Sequence, residues 1–352
     1  MDSTLLNRRL DLIERTRSSE ADLSGLDLER LPADLLRLRD ITTLILRRNQ
    51  LRTLEPWLGE LRSLRKLDLS DNQFEIFPIA ATDLTNLVEL DLTKNRIEQI
   101  PAQIARLTRL KLLSLQLNQV RDISPQIAAL SSLSKLMLHE NRLGEVPAAI
   151  TELSGLTELY VNGNGIRSLP SSVARLHSLV LLNVQNNELA TLPAELEQLS
   201  ELRMIFLRNN RFTTLPSVVG RLPRLEYLSL QYTQLEQLPE RLENEARLTH
   251  LFARQNKLSS IPSVICRMVS LINLSIEENG IQEIPTELEG MRSLEQLNLD
   301  ANEVAVLPDF LGRMPNLRYL LARRNRIQSV PQAILASTAL RVLELEGNPL
   351  AA

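Results

Sequence analysis

The sequence predicts an α/β solenoid, a horseshoe with a parallel β-sheet on its concave side and short helical or 3-10 turns on its convex side. Three observations carry this expectation. Asn stands at 49, 72, 95, 118, 141, 164, 187 and 210, then at 256, 279, 302, 325 and 348, always in steps of 23 residues, with Thr233 in the one gap. Pro follows six residues after that slot at 78, 101, 147, 170, 193, 216, 239, 262, 285, 308 and 331. Around each Asn the apolar residues pass from strict alternation to spacings of about three, as in a strand followed by a helical turn.

The elements follow in chain order. Residues 1–20 predict a capping helix, with Leu5, Leu6, Leu10 and Ile13 on one face and Asp2 or Ser3 at its N-terminus. Such a cap is needed because the end of a stacked array exposes apolar surface and unpaired strand edges. Residues 21–352 then read as about fifteen repeats of 23 residues, the first and last incomplete, in one continuous domain. The first, DLSGLDLERLP (22–32), already carries Pro32.

The unit L-x-x-L-x-L-x-x-N-x-L-x-x-L-P-x-x-I-x-x-L-x-x is clearest at LVELDLTKNRIEQIPAQIARLTR (87–109), and it is the leucine-rich repeat pattern. In its x-L-x-L-x core the leucines face inward and the x residues outward. Proline after the next leucine costs no hydrogen bond where the chain is extended. The Asn slot lies in a buried turn, where each unsatisfied backbone group costs about 1–3 kcal/mol. An amide offers donors and an acceptor and can tie its turn to the adjacent one. Thr233 offers one donor and a shorter reach, so it marks either drift in one rung or a loop reshaped for binding. At the other end, LELEGNPLAA (343–352) leaves Leu343 and Leu345 without a covering element. Truncation of a longer chain, or a second surface over that edge, is therefore expected.

Composition narrows the function. A net charge of −3 argues against general nucleic-acid binding. No apolar run is long enough to span a membrane as a helix, and MDSTLLNRRLDLIERTRSSE lacks the uninterrupted apolar region of a secretory signal. One cysteine, Cys266, allows no internal disulfide and points to the cytoplasm. The histidines, 139, 177 and 250, are too scattered to share a metal. No G-x-x-x-x-G-K-[ST], H-E-x-x-H or C-x-x-C occurs, and Cys266, between Ile265 and Met268, reads as a structural thiol. Neither an enzyme nor a cofactor is expected.

With the scaffold positions fixed, function falls to the outward strand positions, which lie six, four, two and one residues before the Asn slot. These four columns of 23 hold six of the eleven aromatic residues, Tyr160, Phe206, Tyr227, Tyr232, Phe252 and Tyr319. Three consecutive strands concentrate them. One presents Met204, Phe206 and Arg208; the next presents Tyr227, Ser229 and Gln231, with Tyr232 beside Thr233; the third presents His250, Phe252 and Arg254. Met137, His139 and Tyr160 extend the patch towards the N-terminus. Aromatics, Arg and Met are what protein-binding hot spots favour, and an outward Phe gains little unless something covers it. Further on, the same columns turn acidic at Glu277, Glu278, Asp300, Glu344 and Glu346, interrupted by Arg323 and Arg324.

The 23-residue unit with its L-P-x-x-I turn resembles intracellular leucine-rich repeat proteins of the Ras-group type. RTRSSEADLSGLDLERLP (15–32) is similar to the start of the repeat domain of Roco proteins, and EGNPL (346–350) resembles the last repeat of many such arrays. The resemblance implies a non-enzymatic cytoplasmic scaffold in intracellular signalling. Its concave sheet would hold a protein partner such as a small GTPase or other signalling protein. The alternative is a regulatory or substrate-recognition domain of a larger signalling enzyme, a Roco-type GTPase or an effector ligase; a structural spacer is a third. Without a phosphate-binding loop, GTPase activity is not implied. The expected state is a monomer or a dimer through the C-terminal edge.

Overall fold

A computed structural model describes residues 3–245 and 247–351. Asp2, one of the two expected helix caps, lies outside the described residues. The chain divides into two compact units. One runs up to Ile166 and takes in Ser172–Leu179; the other comprises Arg167–Ser171 and the chain from Val180 onwards.

The first unit opens with a helix, Ser3–Thr16. Leu6, Leu10 and Ile13 are buried at i, i+4 and i+7, whereas Leu5, expected on the same face, is 41% exposed. One residue is a rotation of about 100°, enough to move Leu5 off a narrow apolar stripe. The helix is held to the repeats by Arg9, which donates to the Ser24 carbonyl (3.0 Å), and by Glu14, paired with Arg37 (3.5 Å). Seven three-residue strands follow: Glu20–Asp22, Thr43–Ile45, Lys66–Asp68, Glu89–Asp91, Leu112–Ser114, Lys135–Met137 and Glu158–Tyr160. Each pairs in parallel with the next at an offset of 23 residues, as in Leu112↔Lys135 and Lys135↔Glu158. Their middle residues, Ala21 in the first strand and leucine in the others, are buried, and their flanking residues are half-buried or exposed except for Ser114, close to the alternation that the pattern predicts.

The return to the next strand is a 3-10 turn of five residues, as at Ala102–Arg106 after Pro101, or a single α turn at Ala148–Thr151. Proline holds its own φ near −80° and starts the turn without needing a donor. A second, two-residue parallel ladder joins Gln99–Ile100 to Asp122–Ile123.

The second unit carries eight strands: Leu181–Asn183, Met204–Phe206, Tyr227–Ser229, His250–Phe252, Asn273–Ser275, Gln296–Asn298, Tyr319–Leu321 and Val342–Glu344. Its returns are 3-10 turns such as Ser217–Arg221 and Thr286–Gly290, or single α turns such as Ser263–Cys266. The repeat that contains Thr233 has no such turn among its described residues. There Glu245 takes the place that Leu222 and Met268 fill with buried side chains in the flanking repeats. Asn244 plugs the gap, its amide donating to the carbonyls of Val219 (2.8 Å) and Leu222 (3.0 Å). In the last strand Leu343 and Leu345 are only half-buried, whereas Leu320 and Ala322 at the same repeat positions are 0% exposed.

The Asn column is a hydrogen-bonded ladder. Asn118 donates to the carbonyls of Leu92 (2.9 Å) and Leu115 (3.0 Å), and its Oδ1 accepts from the Ile97 N–H (3.0 Å). Asn302 repeats the scheme on Ile276, Leu299 and Ile281. Each amide thus joins two repeats and satisfies buried backbone on both. At Thr233 the rung is incomplete: its hydroxyl reaches Leu230 O (2.7 Å) and Asn256 Oδ1 (3.0 Å) but nothing in the preceding repeat. Among the described residues the Phe212 N–H is left without an acceptor, while its equivalents Leu189 and Leu235 each donate to an Asn. Gln234, the next residue, is left-handed (φ 65°), as is Gly165 after the complete rung at Asn164.

Among the described residues no helix is long and apolar enough to cross a membrane.

Candidate functional site

In the second unit the strand register sets the site. Met204, Tyr227 and His250 form one row across three adjacent strands, and Phe206, Ser229 and Phe252 form the next. Backbone pairing fixes neighbouring strands about 4.8 Å apart, too close for three large rings in one row to lie flat. Ser229 resolves this. As the small member of its row it leaves room for the Tyr227 ring, which sits 4.9 Å from Phe206 and 5.1 Å from Phe252. His250 closes the cluster at 5.7 Å from Tyr227 and 6.3 Å from Phe252. These are the offset and tilted geometries that aromatic pairs prefer. Beneath them Ser229 is buried, 2% exposed, although its position faces outward. The four rings are themselves half-buried, and burial pushes the Tyr227 phenol above its ordinary pKa. Met204 stands half-buried at the end of its row.

A polar row runs beside the rings. Tyr232 lies between two guanidinium groups, Arg208 at 4.7 Å and Arg254 at 5.8 Å from the ring centre, a double cation–π contact. Arg254 is also engaged by the Glu278 carboxylate. Arg208 is exposed and has no carboxylate within 4 Å among the described residues. Gln231 accepts from the Ser229 hydroxyl through its Oε1. Tyr232 is left-handed (φ 60°), as are Arg48, Lys94, Leu117, Glu140, Gln255 and Arg324 in the same column. That backbone state belongs to every turn of this kind, so the Tyr232 side chain leaves the chain in a direction that a strand position would not give.

In the first unit Met137 and Tyr160 share a row. Lys135 donates to Glu158 (2.8 Å), and the Tyr160 hydroxyl donates to the same carboxylate (2.9 Å), while Lys135 lies 5.1 Å over the Tyr160 ring. Burial pushes Glu158 up, but these two hydrogen bonds outweigh it and hold its carboxyl below the ordinary range. His139 sits 6.3 Å from Tyr160, with its Nδ1 buried and unpartnered. Burial lowers its pKa despite the opposing charge of Glu140. Tyr160 is therefore tied into its own repeat. Tyr319, outside the patch, is 38% exposed.

No cluster of three or more His, Cys, Asp or Glu capable of holding a metal occurs among the described residues. Cys266 is 8% exposed, and burial, followed by the charge of Glu287, pushes its thiol up to about 11. Sequence spacing did not expose three features. These are the Lys135–Glu158–Tyr160 triad, the packing of Tyr227 over Ser229, and an exposed apolar pair, Ile76 (76%) and Ile79 (41%), away from the strand face. A signal for the second was present: the only Ser between two Phe in that row.

Comparison with known proteins agrees with this architecture. The leucine-rich repeat family profile matches residues 85–143, 108–166 and 154–212, and a two-copy leucine-rich repeat profile matches 62–105. A comparison with curated protein sequences finds no significant match. A leucine-rich repeat protein of Leptospira interrogans is 28% identical, with a TM-score of 0.90 over 98% of this chain and 94% of that one. The plant peptide hormone receptor RGFR1 in complex with RGF2 is 27% identical, with a TM-score of 0.68 over 94% of this chain and 59% of that one. An internalin of Listeria monocytogenes, 21% identical, shares the fold alone, with a TM-score of 0.71 over 99% of this chain and 95% of that one. The fold is a leucine-rich repeat solenoid, and leucine-rich repeat proteins generally mediate protein–protein interaction.

Proposed function

We propose that the chain is a non-enzymatic scaffold that holds a protein partner on its strand face, in cytoplasmic signalling. The observation that carries this is the cluster of Phe206, Tyr227, His250 and Phe252 at outward positions of three adjacent strands. Four half-buried rings on a solvated sheet face retain apolar surface that a partner would cover, and desolvated aromatics supply most of the energy at protein interfaces. Rigid, paired strands present these rings at little further entropic cost. The plant receptor, captured with RGF2, supports the same use of the architecture. The single cysteine, buried and weakly acidic, suits a reducing compartment.

The test is affinity capture by the wild-type chain beside a Phe206→Glu, Tyr227→Glu, Phe252→Glu variant. Identified partners are then re-measured with purified protein. All three positions face outward, so circular dichroism of the variant should match wild type. A partner bound directly by wild type and lost by the folded variant is the expected result. Equal binding by both would refute the strand face as the site.

A further inference from the structure

Resting on that reading, we propose that the docked partner segment is extended, crosses the strands, and presents in order an acidic, an apolar and a basic side chain. The acid lies over Arg208, the apolar residue on the four rings, and the base over Glu277. The basis is an uneven charge along one row. Two residues before the Asn slot, four consecutive strands present Arg208, Gln231, Arg254 and Glu277. Arg254 is neutralised by Glu278, and Gln231 is uncharged with its amide donors free. That leaves Arg208 at one end and Glu277 at the other without an oppositely charged side chain within 4 Å among the described residues; Glu277 accepts from the Ser275 hydroxyl. Elsewhere in this unit arginines do pair across strands: Arg203 with Glu226 at 2.6 Å, and Arg323 with Asp300 at 2.8 Å.

The spacing sets the length of the motif. Three strand intervals of about 4.8 Å separate Arg208 from Glu277, about 14 Å. An extended chain advances about 3.3 Å per residue, so acid and base are about four residues apart, with the apolar residue between them, one strand interval from the acid and two from the base. Charge order then fixes the direction of the segment, because the reversed peptide would place like charges together.

The experiment uses a phage-displayed library of random twelve-residue peptides selected on four immobilised forms of the full chain. These are wild type, Arg208→Glu, Glu277→Lys and the double variant Arg208→Glu, Glu277→Lys. Wild type should enrich peptides with an acid, an apolar residue and a base in that order. Arg208→Glu should bind those peptides about tenfold more weakly, and the double variant should enrich the opposite order. Enriched peptides without charge order, or with an order that the double variant leaves unchanged, would overturn the proposal. If such peptides still depend on Phe206, Tyr227 and Phe252, the strand-face reading survives while the charge motif fails. No enrichment at all would exclude an extended segment and leave the strand face to the capture experiment. A second copy of this chain as occupant would appear as concentration-dependent self-association, unaffected by added peptide, and would also overturn it.

Discussion

Replacing Thr233 by Asn should repair the ladder, and the size of the effect follows from the neighbouring rungs. At Asn210 the amide donates to Val184 O (3.0 Å) and Leu207 O (2.9 Å) and accepts from the Leu189 N–H (3.0 Å). The corresponding partners of an Asn at 233 are Leu207 O, Leu230 O and the Phe212 N–H. The Leu230 bond merely replaces the one that the Thr hydroxyl already makes. Two bonds are new, each worth about 1 kcal/mol net. Loss of the buried Thr methyl takes back about 0.8 kcal/mol. The sum is a stabilisation of about 1 kcal/mol, concentrated in one loop. Residue-resolved amide hydrogen exchange is the assay. In wild type the Phe212 amide should exchange faster than those of Leu189 and Leu235; in Thr233→Asn it should slow about fivefold and approach them. The reverse change, Asn210→Thr, should speed Leu189. If the Phe212 amide of wild type is already as protected as Leu189, the rung is not broken and the reasoning fails.

Two further outcomes are expected from the titrating groups. The folded pKa of His139 lies below its ordinary value of 6.5. Its contribution to stability is therefore complete above about pH 6.5 and is lost as pH falls from there through the folded pKa. Urea unfolding at pH 7.5 and pH 5.5 should show wild type losing more stability on acidification than His139→Gln; equal losses would contradict the burial argument. Cys266, with its thiol pushed up to about 11, should react with a thiol-disulfide reagent at pH 7.5 at least about a hundredfold more slowly than in the urea-unfolded chain. Equal rates in the two states would show it to be accessible.

The scaffold was readable because its constraints are local and repeated. Leu90, Leu92 and Asn95 each answer a demand that recurs every 23 residues, and one repeat explains them all. The outward columns were readable for the same reason, and the register places Phe206, Tyr227 and Phe252 in adjacent strands as the spacing requires. Side-chain pairing was not readable. Nothing in the spacing shows that Tyr160 is tied to Glu158, or that Arg254 is neutralised by Glu278 while Arg208 is not. Those outcomes depend on rotamers, within one strand for Tyr160 and Glu158 and across neighbouring strands for Arg254 and Glu278. Leu5 was misplaced because a face assigned by periodicity has soft edges.

Taken alone, the sequence determined the period, the strand and turn positions, the inward and outward faces and the one defective rung, because each is a matter of spacing along the chain. Tertiary structure decided the rest. It settled how Ser229 admits the Tyr227 ring, how Asn244 and Glu245 alter the return of the Thr233 repeat, and which charges on the sheet face remain unpaired. These depend on distances between side chains of different repeats. Periodicity sets the register of those repeats, but which groups meet is decided by packing, desolvation and competition for hydrogen bonds.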